Sequence, residues 1–239
     1  DQITMRYYRE FSIGGIKAYL EVYPKCIKNQ IAVKDGIDFT SPDPIETMVL
    51  QGKQRANGIE LMISKKSGKT TGWVSYSYSR SFMQVKSDIP ENQINFGLEY
   101  PSNYDRPHNL NLVINSRSNR RLSLSANFVY STGRPVTYPV AIYYSEGQQL
   151  LYYTGRNESR IPDYARLDLS INLEGNLIRK KPIHSYWMLN LYNALGRDNV
   201  YSVYFDSQDG KIQGHKLSIY SVPILTFSWL YKFGNYLND

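Results

Sequence analysis

Apolar and polar residues alternate with period two in several segments of about 8–11 residues, the span that a tilted membrane strand needs. Residues 121–130 set Leu122, Leu124, Ala126, Phe128 and Tyr130 against Ser123, Ser125 and Asn127. Residues 164–173 set Leu167, Leu169, Ile171 and Leu173 against Arg166, Asp168, Ser170 and Asn172. In 109–115, Leu110, Leu112 and Ile114 oppose three asparagines, with Val113 breaking the rule. Residues 72–79 set Val74, Tyr76 and Tyr78 against serines, and 185–193 carry Trp187, Leu189 and Leu191 against Met188, Asn190 and Tyr192. The last such segment, 224–233, lines up Leu225, Phe227, Trp229, Tyr231 and Phe233 opposite Thr226, Ser228 and Lys232. Residues 16–23 and 59–63 are shorter, less regular candidates, and no stretch has a helical repeat of comparable length.

The connections alternate between short and long. Short ones lie at 66–71, around Gly68, and at 116–120; long ones run over 82–107 and 133–162. Outer-membrane barrels have this asymmetry, with short periplasmic turns and longer outer loops. It predicts Gly68 and Asn119 on the periplasmic side and a Tyr-rich loop outside. A soluble β-sandwich also alternates. Two features favour the membrane: the polar faces are small and hydrated rather than charged, and the apolar faces end in Tyr, Trp or Phe, as interfacial girdles do.

Composition agrees. Among 239 residues there are 22 Tyr against 8 Phe, rings with a polar tip suited to apolar–wet boundaries. The mean hydropathy of −0.47, with no apolar run longer than 140–144, excludes a membrane helix. A barrel escapes that requirement because only alternate residues face lipid. The net charge of +7 reads as lumen and loop charge. The densest runs, Lys65-Lys66 with Lys69 and Arg179-Lys180-Lys181, sit beside turns rather than among aromatics on one face, so nucleic acid is not an expected partner. The single cysteine, Cys26, permits no internal disulfide. A targeting segment, as for any exported chain, is expected upstream of Asp1.

Six motifs in order resemble the C-terminal part of the barrel of TonB-dependent outer-membrane receptors, the subgroup with a carboxypeptidase-regulatory-like N-terminal domain. They are Ala56-Asn57-Gly58-Ile59-Glu60-Leu61 with Lys65-Lys66-Ser67-Gly68-Lys69; Gly72-Trp73-Val74-Ser75-Tyr76-Ser77-Tyr78-Ser79-Arg80; and Tyr104-Asp105-Arg106-Pro107-His108. Thr132-Gly133-Arg134-Pro135-Val136, Arg160-Ile161-Pro162-Asp163-Tyr164-Ala165-Arg166-Leu167-Asp168 and Leu191-Tyr192-Asn193-Ala194 complete the set. Gly58 and Gly72 are read as strand starts, and Arg134-Pro135 and Ile161-Pro162 as strand ends where proline cannot continue a ladder. The segment 224–233 resembles the terminal aromatic signature of such barrels, except that Gly234-Asn235-Tyr236-Leu237-Asn238-Asp239 follows Phe233.

The resemblance implies an all-β, transmembrane antiparallel barrel. Residues 1–239 would form an incomplete C-terminal arc of roughly 8–10 strands, the plug and N-terminal strands coming from another segment or chain. It further implies an integral outer-membrane location and import of a nutrient ligand, with the TonB complex acting through the plug and lipid around the barrel. A surface lipoprotein is a further candidate partner. The rival readings are a non-transporting scaffold for surface partners and a passive porin.

Candidate ligand contacts are Tyr138, Tyr143, Tyr144, Tyr152 and Tyr153, which offer stacking area plus a hydroxyl. Arg134, Arg156 and Arg160 add forks for carboxylate or phosphate. Arg166 and Asp168, two apart, are expected on the lumen face, paired with each other or with the plug. No bond chemistry, cofactor or metal is assigned. His108, His184 and His215 have no metal-ligand spacing, and no G-x-S-x-G elbow occurs. Asp35, Asp38 and Asp43 beside Gly36 lack the pattern of a calcium loop.

Overall fold

A computed structural model describes every residue except 13, 35–43, 146–147, 176–182, 209 and 234–239, so the Asp35–Asp38–Asp43 group, the 179–181 basic run and the terminal extension lie outside the described residues. The chain opens with β1 (Met5–Phe11), β2 (Ile16–Val33), β3 (Val49–Lys65), β4 (Thr70–Gln84) and a two-residue β5 (Tyr100–Pro101). Next come β6 (His108–Arg117) and β7 (Leu122–Ser131), then four short strands in one connection: β8 (Pro135–Val136), β9 (Pro139–Ser145), β10 (Gln148–Tyr153) and β11 (Ser159–Arg160). β12 (Tyr164–Glu174) and β13 (Ile183–Tyr192) follow, then the hairpin β14 (Val200–Gln208) and β15 (Lys211–Ser218), and finally β16 (Ile224–Phe233).

Nine strands pair antiparallel in the order β1-β2-β3-β4-β6-β7-β12-β13-β16, with β5 on the end of β4. The sheet does not close: among the described residues β1 and β16 are each paired on one side only. No described helix is long and apolar enough to cross a membrane.

Register turns the alternation of each strand into continuous rows. Ile114, Ala126, Leu169, Leu191 and Leu225 are cross-strand partners over five strands. One residue along, Asn115, Ser125, Ser170, Asn190 and Thr226 form the matching polar row. A one-residue slip in any pair would swap the two faces. Among the described residues nothing covers the apolar face: Phe227 and Trp229 are 60% and 54% exposed. A sandwich would bury such a row against a second sheet; here its solvent is lipid. Trp187, packed edge-on against Phe227 and Trp229 at 5.9 and 5.8 Å, forms an aromatic girdle at the short-turn end.

Two sequence expectations need extending. β2 and β3 run to 18 and 17 residues, well past the predicted 16–23 and 59–63, and Gly58 lies inside β3 rather than at its start. Gly58 is opposite Tyr23, whose ring lies across it; a Cβ there would sit 2.6 Å from that ring. The extra length projects beyond the long-loop rim, where water wets both faces and selection for alternation ends. A register shift between Ile27 and Gln30, with Asn29 at φ 58°, lies in this projecting part. There the 85–101 connection folds back and buries Val85, Ile94 and Tyr100 against Ala32 and Leu50. This is the only apolar core cluster among the described residues. The hairpin of β14 and β15 and the edge strand β1 carry no clean alternation and were not among the predicted segments.

The two open edges generate a prediction. Each unpaired backbone group in hydrocarbon costs several kcal/mol, roughly, so the 239-residue polypeptide alone should give no heat-modifiable, protease-resistant species in outer-membrane lipid. A stable band that shifts on boiling, from these residues only, would contradict it.

Candidate functional site

At the long-loop end, irregular chain must satisfy the backbone groups that the ladder no longer pairs. A ring of side-chain clamps does this. Asp105, 1% exposed, accepts hydrogen bonds from the Ser81 amide at 2.6 Å, from Arg80 Nε at 3.4 Å and from Arg160 Nη2. Arg160 also donates from Nη1 to the carbonyls of Asp105 at 2.6 Å and Gly133 at 2.9 Å. Asp163 accepts from the Gly133 amide at 2.9 Å and the Tyr130 hydroxyl at 2.7 Å. A side chain at Gly133 would collide with the Ile161 carbonyl, so only glycine lets these two segments meet.

The next clamps continue along the rim. Asn199 pairs both ways with the Ala165 backbone at 3.0 Å, as another strand would. Asn193 sits in the left-handed region at φ 52°, where asparagine is tolerated. Its amide donates to Asp168 at 3.0 Å, and its Nδ2 to the carbonyls of Arg197 and Tyr220, both at 3.1 Å. One fully buried side chain thus holds both ends of the 193–220 connection. Five of the six sequence motifs supply these clamps or their nearest neighbours.

Inside the ring, on the polar face, a cavity of ≈ 350 Å³ opens. Three arginines line it, Arg106, Arg134 and Arg166, together with Tyr164, Tyr192, Tyr201 and Tyr220; among the described residues no Asp or Glu does. Arg166 is already engaged. Its Nε donates to Asp168 at 3.1 Å, its Nη1 to the hydroxyls of Tyr164 and Tyr192 at 2.9 and 2.7 Å, and its guanidinium lies 4.5 Å from the Tyr192 ring centre. Arg134 donates to Ser202 Oγ at 3.2 Å, a neutral partner. Arg106 is exposed and carries neither an ion pair nor a hydrogen bond among the described residues.

The other sequence-predicted residues lie outside the cavity lining. Tyr143 and Tyr152 meet edge-on at 6.4 Å on the hairpin of β9 and β10, where Tyr144 accepts from Gln149 at 2.7 Å and Tyr153 lies at the base. Tyr138 packs on Phe205 at 5.0 Å, joining this hairpin to that of β14 and β15. Arg156 points between loops: its backbone N–H donates to Asn95 at 2.8 Å and its Nη2 to the Val33 carbonyl at 2.8 Å. The structure therefore brings Arg134 and Arg166 together, places Arg156 and Arg160 in loop-to-loop hydrogen bonds, and leaves the hairpin tyrosines apart from the cavity. Sequence reasoning passed over Arg106, Tyr192, Tyr201 and Tyr220 as site residues. Arg106 and Tyr192 stood inside motifs whose chemistry was not followed; Tyr201 and Tyr220 carry no sequence signal of their own. Among the described residues no group of three His, Cys, Asp or Glu could hold a metal ion.

The open antiparallel sheet has a counterpart in known proteins. The family model for the TonB-dependent receptor-like β-barrel matches residues 6–194. The chain belongs to that family. It is an outer-membrane β-barrel segment. The TonB-dependent barrel resembles the ferripyoverdine receptor of the outer membrane of Pseudomonas aeruginosa, solved with ferripyoverdine bound, at TM-score 0.55 and 14% identity over 95% of this chain and 26% of that one. The ferric-catecholate import receptor Fiu of E. coli K12 gives 0.58 and 14% over 97% and 27%. The unliganded ferric citrate transporter FecA gives 0.56 and 13% over 97% and 31%. At these identities the likeness is one of fold, and the chain spans less than a third of each relative. No curated protein matches it in sequence.

Two predictions follow from the clamps. The Gly133 amide, then the Tyr130 hydroxyl, holds the Asp163 carboxyl below the usual carboxylate range. A depressed native pKa stabilises above the unfolded-state value of about 3.9 and loses that stabilisation as pH falls through the native one. Hydrogen-exchange protection of the Gly133 amide should therefore survive to below the ordinary carboxylate range, and Asp163→Asn should lower it already at neutral pH; unchanged protection in the variant would refute the clamp. At Asn193, Gly keeps the backbone angle but removes the clips, whereas Leu also adds strain. Stability of the assembled barrel, read as its heat-modification temperature, should fall in the order Asn, Gly, Leu, with Leu losing about 2–4 kcal/mol.

Proposed function

We propose that this chain is the C-terminal arc of a ligand-importing receptor. Its strands form the lumen wall, a plug from another segment closes the lumen, and the TonB complex acts on that plug. The single observation that carries the reading is the cationic, tyrosine-lined cavity on the polar face, framed by loops fastened to one another at the wide end. A simple pore has no need of such a cavity at its mouth. The relatives' names concern iron chelates, and an iron chelate is a reasonable first probe, though identity of 13–14% transfers no particular one.

The hairpin of β9 and β10 supplies the second element. Tyr144 and Tyr152, 68% and 53% exposed, offer aromatic area to an arriving ligand. The scaffold reading draws on the same exposure, since surface partners also dock on exposed tyrosines. Uptake separates the two. In cells carrying the full-length receptor, energised uptake of iron-loaded citrate, catecholate or pyoverdine should require the TonB complex. Tyr152→Ala with Tyr153→Ala should reduce it severalfold while the heat-modifiable band stays unchanged. Equal loss of uptake and assembly would assign the tyrosines to structure. A steady conductance of the purified receptor in a planar bilayer would favour a passive porin.

A further inference from the structure

Two features of the rim cavity go beyond its existence. The first is unbalanced charge. Of its three guanidiniums, only Arg166 meets a carboxylate. The acids beside its lining residues have other partners: Asp168 holds Arg166 itself, Asn127 and the Asn193 amide; Asp163 holds Gly133 and Tyr130; Asp105 holds Ser81, Arg80 and Arg160; and Asp198 accepts from Ser221. Arg134 and Arg106 thus line one concavity, and neither forms an ion pair among the described residues. Both are forks suited to a planar carboxylate. The second is free aromatic surface. Tyr192 is covered by Arg166, but Tyr201 and Tyr220 are 66% and 60% exposed at the same cavity, and Tyr220 stands edge-on to Tyr192 at 6.0 Å. A volume of ≈ 350 Å³ is at the lower end of ligand sites, about 300–1,000 Å³, and suits one or two rings.

We propose that this cavity binds a small aryl carboxylate, free or as the terminal arm of a larger ligand, with Arg106 and Arg134 on the carboxylate and Tyr201 and Tyr220 against the ring. The assignment rests on the import reading above and names its substrate class. It adds Arg106, Tyr201 and Tyr220 to the binding residues, and it treats Arg166 as a positioning residue held by Asp168.

The test uses the full-length receptor in detergent and two probes of nearly equal shape, salicylate and its neutral amide, salicylamide, each followed by its own fluorescence. Salicylate should bind saturably, and at least tenfold more tightly than salicylamide. Arg106→Gln with Arg134→Gln should weaken salicylate by about tenfold or more, as expected for lost charge-assisted hydrogen bonds, and should leave salicylamide unchanged. Arg134→Lys, which keeps the charge and loses the fork, should fall between. Absence of saturable binding, equal binding of the two probes, or insensitivity to the arginine variants would each overturn the proposal. The probe comparison needs no variant, so misassembly of a mutant cannot obscure it. Energised uptake is scored separately: uptake without salicylate binding would refute the aryl-carboxylate site alone, and loss of TonB dependence would refute the import reading.

Discussion

In hydrocarbon every backbone N–H and C=O must be paired within the protein, and this constraint organises the whole molecule. It forces an unbroken antiparallel ladder from β1 to β16 and expels all irregular backbone to the two rims. At the short-turn rim little chain has to be accommodated. At the other, four long connections leave the sheet, and their first and last backbone groups need partners that no neighbouring strand provides. The clamps of Asp105, Asp163, Asn193 and Asn199 are those partners. Each is a short polar side chain that completes a ladder from where it ends.

The same constraint explains which parts of the fold were legible in the sequence. Inside the bilayer one face meets lipid and the other water, so period two is strict, and the rows through Leu169 and Ser170 follow from the residues alone. Beyond the rim both faces are wet. The pattern fades there, although β2 and β3 continue for several more pairs and the hairpin of β14 and β15 forms. Edge strand β1 escaped for another reason: Arg9 stands at a lipid-side position and lays its guanidinium over Phe11, 5.0 Å from the ring centre, which hides the alternation.

The site was legible in a different sense. The motifs contain Asp105, Gly133, Asp163 and Asn193 of the clamps, but spacing cannot tell a clamp from a cavity-lining side chain. Arg134, Arg156 and Arg160 look alike in sequence, and all three lie within the same long connection. Folding separates them: Arg160 directs its donors to Asp105 and the Gly133 carbonyl, Arg156 reaches Val33, and Arg134 turns to the cavity. What divides them is which backbone carbonyls lie within reach, a property of residues 25 or more positions away in the chain.

Cavity and clamps are not independent. Arg166 lines the cavity and pairs with Asp168; Asp168 accepts the Asn193 amide; Asn193 holds the 193–220 connection, which carries Tyr201 and Tyr220 back to the cavity wall. Tyr220 stands edge-on to Tyr192, whose ring Arg166 covers, so these contacts return to their starting point. The same ion pair that orders Arg166 therefore also supports the connection that positions the aromatic wall. With Arg166 committed to Asp168, Arg106 and Arg134 are the cavity's guanidiniums without a carboxylate partner among the described residues.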